Sequence, residues 1–365
     1  MKRIIFTVTN DLSYDQRMIR ICRSLAKEGY EIKLIGRKWR NSIPLVRENF
    51  EQKRLNGLFP RGKAFYIEFN IRLFFYLLFQ KTGCICAIDL DSILPCYVVS
   101  VVKNLPRSYD AHELFCEMKE IASRPPIYSF WKKIEKFAVP KFQKGYTVNQ
   151  PIADEFNKMY AVKYDVIRNF PFLRPLSIPE KNEKYILYQG AVNEGRSFET
   201  LIPAMEEVDC KLIICGDGNF MTQAKELVNK YNVGQKVIFK GRIPPTQLYD
   251  ITKSAWIGVT LFEKNGLSNY LSLANRFSDY FHAGVPQLCV DYPVYQEINN
   301  QYNVALLLSN LDPSSIAREL NTLLKNESLY RTLQQNCLIA REVLNWEEEE
   351  KKLKAFYKNI FEAGG

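Results

Sequence analysis

The 365 residues leave room for two domains of roughly 150–200 residues each. With 47% hydrophobic and 25% charged residues the chain has the balance of a globular protein, not of a disordered or fibrous one. The formal net charge of +10 is uneven: residues 1–175 carry 30 Lys+Arg against 17 Asp+Glu, and residues 176–365 carry 20 against 23. The first half is therefore expected to face something anionic (nucleic acid, lipid headgroups or a phosphorylated substrate), with an ordinary basic surface as the plain alternative.

Nine cysteines, an odd number without a CxxC pair, and only two histidines read as buried thiols in a reducing cytoplasm, and they argue against a zinc site. The N-terminal MKRIIFTVTN has too short an apolar core for a signal peptide and no small-residue cleavage site, so it reads as a first strand.

Strand-like and helix-like segments then alternate. Arg3–Thr9 is a strand, Gln16–Glu28 an amphipathic helix closed by Gly29, and Glu31–Ile35 a strand. Further strands are expected at Cys84–Ile88, Ser108–Ala111 and Gly145–Val148, with helices at Ile71–Gln80, Ser92–Val102 and Tyr128–Val139. The greasiest stretch, Leu73–Phe79, is too short to span a bilayer, which takes ~20 residues. It reads as a buried helix, with shallow membrane contact as the alternative because Arg72 and Lys81 flank it.

Three prolines and several charges over residues 168–183 break the rhythm. It resumes with strands at Lys184–Gln189, Lys211–Cys215, Lys236–Phe239, Ile257–Leu261 and Gln287–Val290. Helices are expected at Ser197–Met205, Gln223–Tyr231, Pro245–Thr252, through Asn275, Arg276 and Asp279, over 313–340, and from Trp346 to Phe361. Such βαβ alternation implies parallel sheets with helices on both faces. The expected organisation is an N-terminal Rossmann-like domain (1–170), a linker (171–183), a second Rossmann-like domain (184–340) and a C-terminal helix (341–365) free to pack back on the first. A cleft between the domains would hold the ligand, since open α/β sheets bind beyond the carboxyl ends of their strands.

The most informative stretch is Phe262–Val290. A polar loop runs into a helix bearing Asn275, Arg276 and Asp279, which Gly284 and Pro286 end before an apolar strand. Arg276 and Asp279 share one helix face. A cation for phosphate beside a carboxylate for sugar hydroxyls suits a nucleotide sugar; an ordinary helix with solvent-facing charges is the bland alternative. Three strand-end loops add weight: Gly190 to Arg196 with Asn193, Gly216-Asp217-Gly218, and Gly241-Arg242. Each is weak alone, because simple turns use the same residues.

In the first half, His112 within Asp110-Ala-His112-Glu113 is a candidate polar or acid/base group, against a helix-capping cluster. Asp89-Leu-Asp91 has the form of a metal-binding DxD, but it precedes an apolar helix and capping accounts for it, so no metal is expected. His282 reads as structural. Phosphate-loop, nucleophile-elbow and HExxH sequences are absent, which removes P-loop ATPases, serine hydrolases and zinc proteases.

Taken in order, Asp15-Gln-Arg17-Met18, DAHELF (Asp110–Phe115), VIRNFP (Val166–Pro171), YQGAVNEGR (Tyr188–Arg196), ICGDG (Ile214–Gly218), KGR (Lys240–Arg242) and FSDYFHAGVP (Phe277–Pro286) resemble the family 4 (group 1) retaining glycosyltransferases of bacterial surface-polysaccharide type. That resemblance implies the GT-B fold and a metal-independent enzyme without a cofactor. It would move a sugar from a nucleotide diphosphate to a hydroxyl of a glycan or polyprenyl-linked acceptor, in the cytoplasm or at the inner face of its membrane, without nucleic acid. By position it assigns catalysis to Arg196, Arg276 and His112. Donor binding falls to Gly190, Asn193, Gly216, Asp217, Gly218, Gly241, Arg242, Ser268, Asn269, Tyr270, Asn275 and Asp279, and acceptor binding to Asp11, Asp15, Arg17 and Glu113. The chain departs from the family pattern at Leu271, where the first acid of E-x7-E should stand, at Ala191, and at Thr9-Asn10-Asp11. A nucleotide-sugar 2-epimerase on the same fold and a catalytically weak sugar-nucleotide-binding scaffold are the rival readings.

Overall fold

The computed structural model describes residues 2–13, 15–178 and 183–362, with the backbone alone at Pro245 and Thr246. The chain forms two compact units, Met1–Asn169 with Glu349–Gly365, and Phe170–Glu348. Residues 179–182 of the expected linker and the last three of the expected C-terminal helix lie outside the described residues.

The first unit holds seven parallel strands, β1 (Arg3–Thr7), β2 (Glu31–Arg37), β3 (Glu51–Leu55), β4 (Cys84–Ile88), β5 (Arg107–Ala111), β6 (Gly145–Thr147) and β7 (Asp165–Val166), in the order 3-2-1-4-5-6-7. The central β1 and β4 are runs of apolar residues buried throughout their inner positions, as a sheet covered on both faces requires. β3, sequence EQKRL, has no apolar run and is missed by periodicity; its charges suit the sheet edge it occupies. The final helix, Trp346–Glu362, returns to this unit: Tyr357 packs edge-on against Phe6 at 5.7 Å, and its hydroxyl lies 3.3 Å from that of Tyr146.

The second unit holds β8 (Tyr185–Gln189), β9 (Lys211–Cys215), β10 (Val237–Gly241), β11 (Ile257–Thr260), β12 (Gln287–Val290) and β13 (Ala305–Leu308), all parallel, in the order 10-9-8-11-12-13. One continuous core runs from Ile186 and Phe198 through Phe277 and Phe281 to Cys337.

Several boundaries differ from the sequence expectation. The helix expected at Ile71 begins at Gly62, because Phe65 and Phe69 extend its buried stripe. The segment 313–340 is two helices, Pro313–Lys325 and Glu327–Val343, separated at Asn326, whose side chain caps the second by accepting from the Leu329 N–H at 3.0 Å. The polar loop expected over Glu263–Tyr270 ends in a single helical turn, Leu267–Tyr270. All nine cysteines are free, and eight are buried. Among the described residues no helix is long and apolar enough to cross a membrane.

Candidate functional site

In each sheet the strand order reverses beside the first strand, at β1/β4 in one unit and β8/β11 in the other. Loops at the carboxyl ends of such a pair diverge and leave a crevice for a ligand.

In the second unit, β8 ends at Gly190, which adopts φ +128° and donates its N–H to the Cys215 carbonyl at 3.0 Å. The β8 and β9 loops lie backbone against backbone: a Cβ at Gly216 would fall 1.7 Å from the Gly190 oxygen. They are laced together further on. Val192 N–H donates to the Asp217 oxygen at 3.1 Å, the Asn193 side chain accepts from Asn219 N–H at 3.1 Å, and Asn219 accepts from Glu194 N–H at 3.0 Å. Beyond β10, Arg242 stands 3.9 Å from Asp217; both are exposed, so the pair adds little to stability.

Arg276 enters from the helix Asn275–His282. That helix is fixed by polar pins: the Gln287 amide donates to the Phe277 carbonyl at 2.9 Å, and the Tyr280 hydroxyl donates to the Leu187 carbonyl at 2.8 Å. Gly258 in β11 makes room for Tyr280, since a Cβ there would meet its ring at 2.4 Å. So held, Arg276 is only 8% exposed. Its Nη1 is 3.4 Å from the Tyr188 hydroxyl, its Nη2 is 3.5 Å from the Leu261 carbonyl, and its Nε has no partner. No carboxylate pairs with it among the described residues. A guanidinium offers five donors, and here two make long contacts, with aromatic rings close by: Tyr188 with its ring centre at 4.8 Å and Phe262 at 5.9 Å. Arg196 reaches the same Phe262 ring, at 5.6 Å. Two cations thus meet around one ring at the ends of β8 and β11.

Asp279, one turn along from Arg276, accepts from the Gln189 amide at 2.9 Å, and Gln189 accepts from the Thr252 hydroxyl at 2.7 Å. The turn carrying Ser268, Asn269 and Tyr270 follows Gly266; Ser268 is buried, and Tyr270 lies edge-on to Tyr292 at 5.2 Å. Asn275 is exposed at the helix start. Leu271, in place of the family's first acid, is buried in the unit.

In the first unit a charged cluster sits at the ends of β1, β4 and β5. Asp110 is fully buried between Arg17 Nη2 at 2.9 Å and His112 Nε2 at 3.1 Å. Asp89, at φ +52°, accepts the His112 backbone N–H at 2.9 Å and faces its Nδ1 at 3.6 Å. Asp91 accepts from the Thr9 hydroxyl at 2.5 Å. Burial pushes Asp89 and Asp91 up to about 7. For Asp110 burial is outweighed by Arg17 and His112, which hold it below the usual carboxylate range. Burial also acts against protonated His112, but Asp110 and Asp89 raise it to about 9.

The remaining residues assigned to the acceptor are engaged in local structure. Asp15 caps its helix by accepting from the Met18 N–H at 3.0 Å, Asp11 binds Arg54 and accepts from the Ser13 N–H at 3.1 Å, and Arg17 also donates to the Ile167 carbonyl at 3.0 Å. Glu113 is half-buried beside the cluster. Among the described residues no group of three or more His, Cys, Asp or Glu is arranged to hold a metal ion. Sequence reasoning missed Tyr188, Phe262 and Gln189; the first two sit in apolar runs that carry no site signal, and only the fold turns them toward Arg276.

Residues 171–337 match the family model described as glycosyl transferases group 1. Solved structures agree with the fold of the chain along its whole length. Sucrose-phosphate synthase from Thermosynechococcus elongatus superposes with a TM-score of 0.81 at 17% identity, covering 100% of both chains. HepE from Anabaena, solved in complex with UDP-glucose, gives 0.76 at 10% identity over 98% of this chain and 99% of its own. A putative UDP-N-acetylglucosamine 2-epimerase from Listeria monocytogenes gives 0.68 at 10% identity, covering 99% of this chain and 97% of its own. At these identities the likeness shows the shared GT-B fold of two parallel-sheet Rossmann-like domains with a C-terminal helix. A search of curated proteins finds no match.

Proposed function

We propose that this protein is a glycosyltransferase that takes its sugar from a nucleoside diphosphate sugar held by the second unit, with Arg276 and Arg196 gripping the diphosphate. The observation that carries the reading is the Arg276 guanidinium, buried at the strand ends with long contacts to a phenol and a carbonyl and no carboxylate. A buried cation left so is costly unless a ligand supplies the counter-charge, and a diphosphate offers bidentate acceptors that match a guanidinium. Asp279 would take ribose hydroxyls. Positive charge at the leaving diphosphate would supply most of the rate acceleration, as preorganised donors do.

The finer reading follows the motif resemblance: transfer with retention, without a metal, to a hydroxyl of a glycan or polyprenyl-linked acceptor in surface-polysaccharide synthesis on the cytoplasmic side. HepE, solved with UDP-glucose, supports UDP-sugars as the first donors to try. Thermal shift over a panel of nucleotide sugars tests the assignment. One donor should raise the Tm of the wild type and not that of Arg196→Ala or Arg276→Ala, and turnover should survive EDTA. An equal rise in all three proteins would remove the arginines from this role, and loss of turnover in EDTA would remove metal independence. Donor incubated without acceptor should stay unisomerised; an isomerised sugar nucleotide would favour the epimerase reading.

A further inference from the structure

The helix Gly62–Leu78 is apolar on two opposite stripes. Phe65, Phe69, Leu73 and Leu77 are buried against the unit. Ile67, Ile71, Phe75 and Phe79, again four apart, are 58%, 53%, 56% and 79% exposed. A helix that is hydrophobic all round is normally covered on both sides, and here only one side is covered. The exposed stripe does not stand alone. Ile71 and Phe75 line one groove with Val98 of the helix Ile93–Val102, on which Val101 and Val102 are also more than half exposed. That helix in turn meets Pro125–Ala138 through Tyr97 and Phe137, ring centres 5.7 Å apart, and there Phe130 and Phe137 are half exposed.

The segments that build this face are strongly basic. Residues 61–81, 93–103 and 124–144 hold eleven Lys+Arg and two acids, Glu68 and Glu135. Both acids are already paired, Glu68 with Arg72 at 2.9 Å and Glu135 with Lys132 at 2.7 Å. Lys133, Lys136 and Lys81 are exposed. Two copies of so basic a face would repel each other, which disfavours self-association. Apolar side chains ringed by long cationic ones, whose stems can lie along apolar surface while their heads stay in water, fit the boundary between headgroups and acyl chains.

We infer that these three helices of the first unit form a docking face for an anionic lipid bilayer, entering it to the depth of their exposed side chains. The face lies outside the residues proposed to bind the sugar nucleotide, so it does not rest on the donor assignment.

Flotation of the full chain with vesicles tests this. The wild type should float with vesicles of phosphatidylglycerol and phosphatidylcholine, much less with phosphatidylcholine alone, and should be released by high salt. Ile71→Glu/Phe75→Glu should lower the bound fraction about tenfold or more by removing apolar anchorage. Lys133→Glu/Lys136→Glu, which leaves every apolar side chain in place, should lower it about tenfold by reversing two charges at the surface. Both variants should keep the Tm of the wild type and its response to nucleotide sugars. A wild type that stays in solution with anionic vesicles overturns the inference. So does a folded Ile71→Glu/Phe75→Glu variant that floats as well as the wild type, or light scattering that gives a dimer which this variant dissolves.

Discussion

Gly190 and Arg276 lie against each other: a Cβ at Gly190 would come 3.3 Å from Nη1 of the guanidinium. The glycine therefore leaves the cation open on the side of the β8 loop, and its φ of +128° is one that side-chain-bearing residues rarely adopt.

Gly190→Ala should strain both the backbone and that contact. The expected loss of stability is about 1–3 kcal/mol, with weaker donor binding on top of it. Urea unfolding and a donor titration measure the two effects separately, and full affinity in the folded variant would show that the opening is not used.

Arg276→Met should separate stability from activity. Removing a buried cation that lacks a carboxylate should leave Tm unchanged or raised, while kcat/KM falls by roughly 10²–10³, as when one preorganised donor to a developing charge is deleted. A lower Tm together with preserved turnover would make Arg276 a structural residue.

Asp279→Ala should cost about 1–3 kcal/mol because it strips the acceptor from the buried Gln189 amide. Donor KM should rise as well. Adding Gln189→Leu should recover much of the stability without restoring KM; recovery of both would reduce Asp279 to a partner of Gln189.

The cluster around His112 makes stability depend on pH. The folded pKa of His112 is raised to about 9, above an unfolded value near ~6.5. Its contribution is therefore complete below about pH 6.5 and lost as pH rises through about 9. Asp89 and Asp91, raised by burial to about 7, add a loss in the same direction over a lower window, from about pH 4 to 7. Tm should fall between about pH 4 and 9.5, and His112→Asn should flatten the upper part of that fall. An identical slope in the variant would show that His112 is not held protonated.

Much of the architecture was legible before any coordinates. The apolar runs at Ile4–Phe6, Ile186–Tyr188 and Leu288–Val290 mark central strands because a parallel sheet is covered on both faces. Gly284 and Pro286 end the helix of Arg276 for local backbone reasons. Edge strand β3 and the short β7 escaped, since neither needs an apolar run at its place in the sheet, and β13 escaped although its run Ala305–Leu308 is apolar. The early start of the helix at Gly62 also escaped, because its second apolar stripe blurs the periodicity on which helix reading depends.

At the sites the division follows sequence separation. Local sequence fixed that Arg276 and Asp279 share a helix face and that glycines stand at the ends of β8, β9 and β10. It could not fix that Arg276 would be buried against Tyr188 and Phe262, that Gln189 would occupy Asp279, or that Asp110 would be shared between Arg17 and His112. Periodicity and turn chemistry act over a few residues, whereas these contacts join segments brought together by strand order. Where a charge meets its neighbours, and whether burial leaves it without a partner, is set only once the sheets have formed.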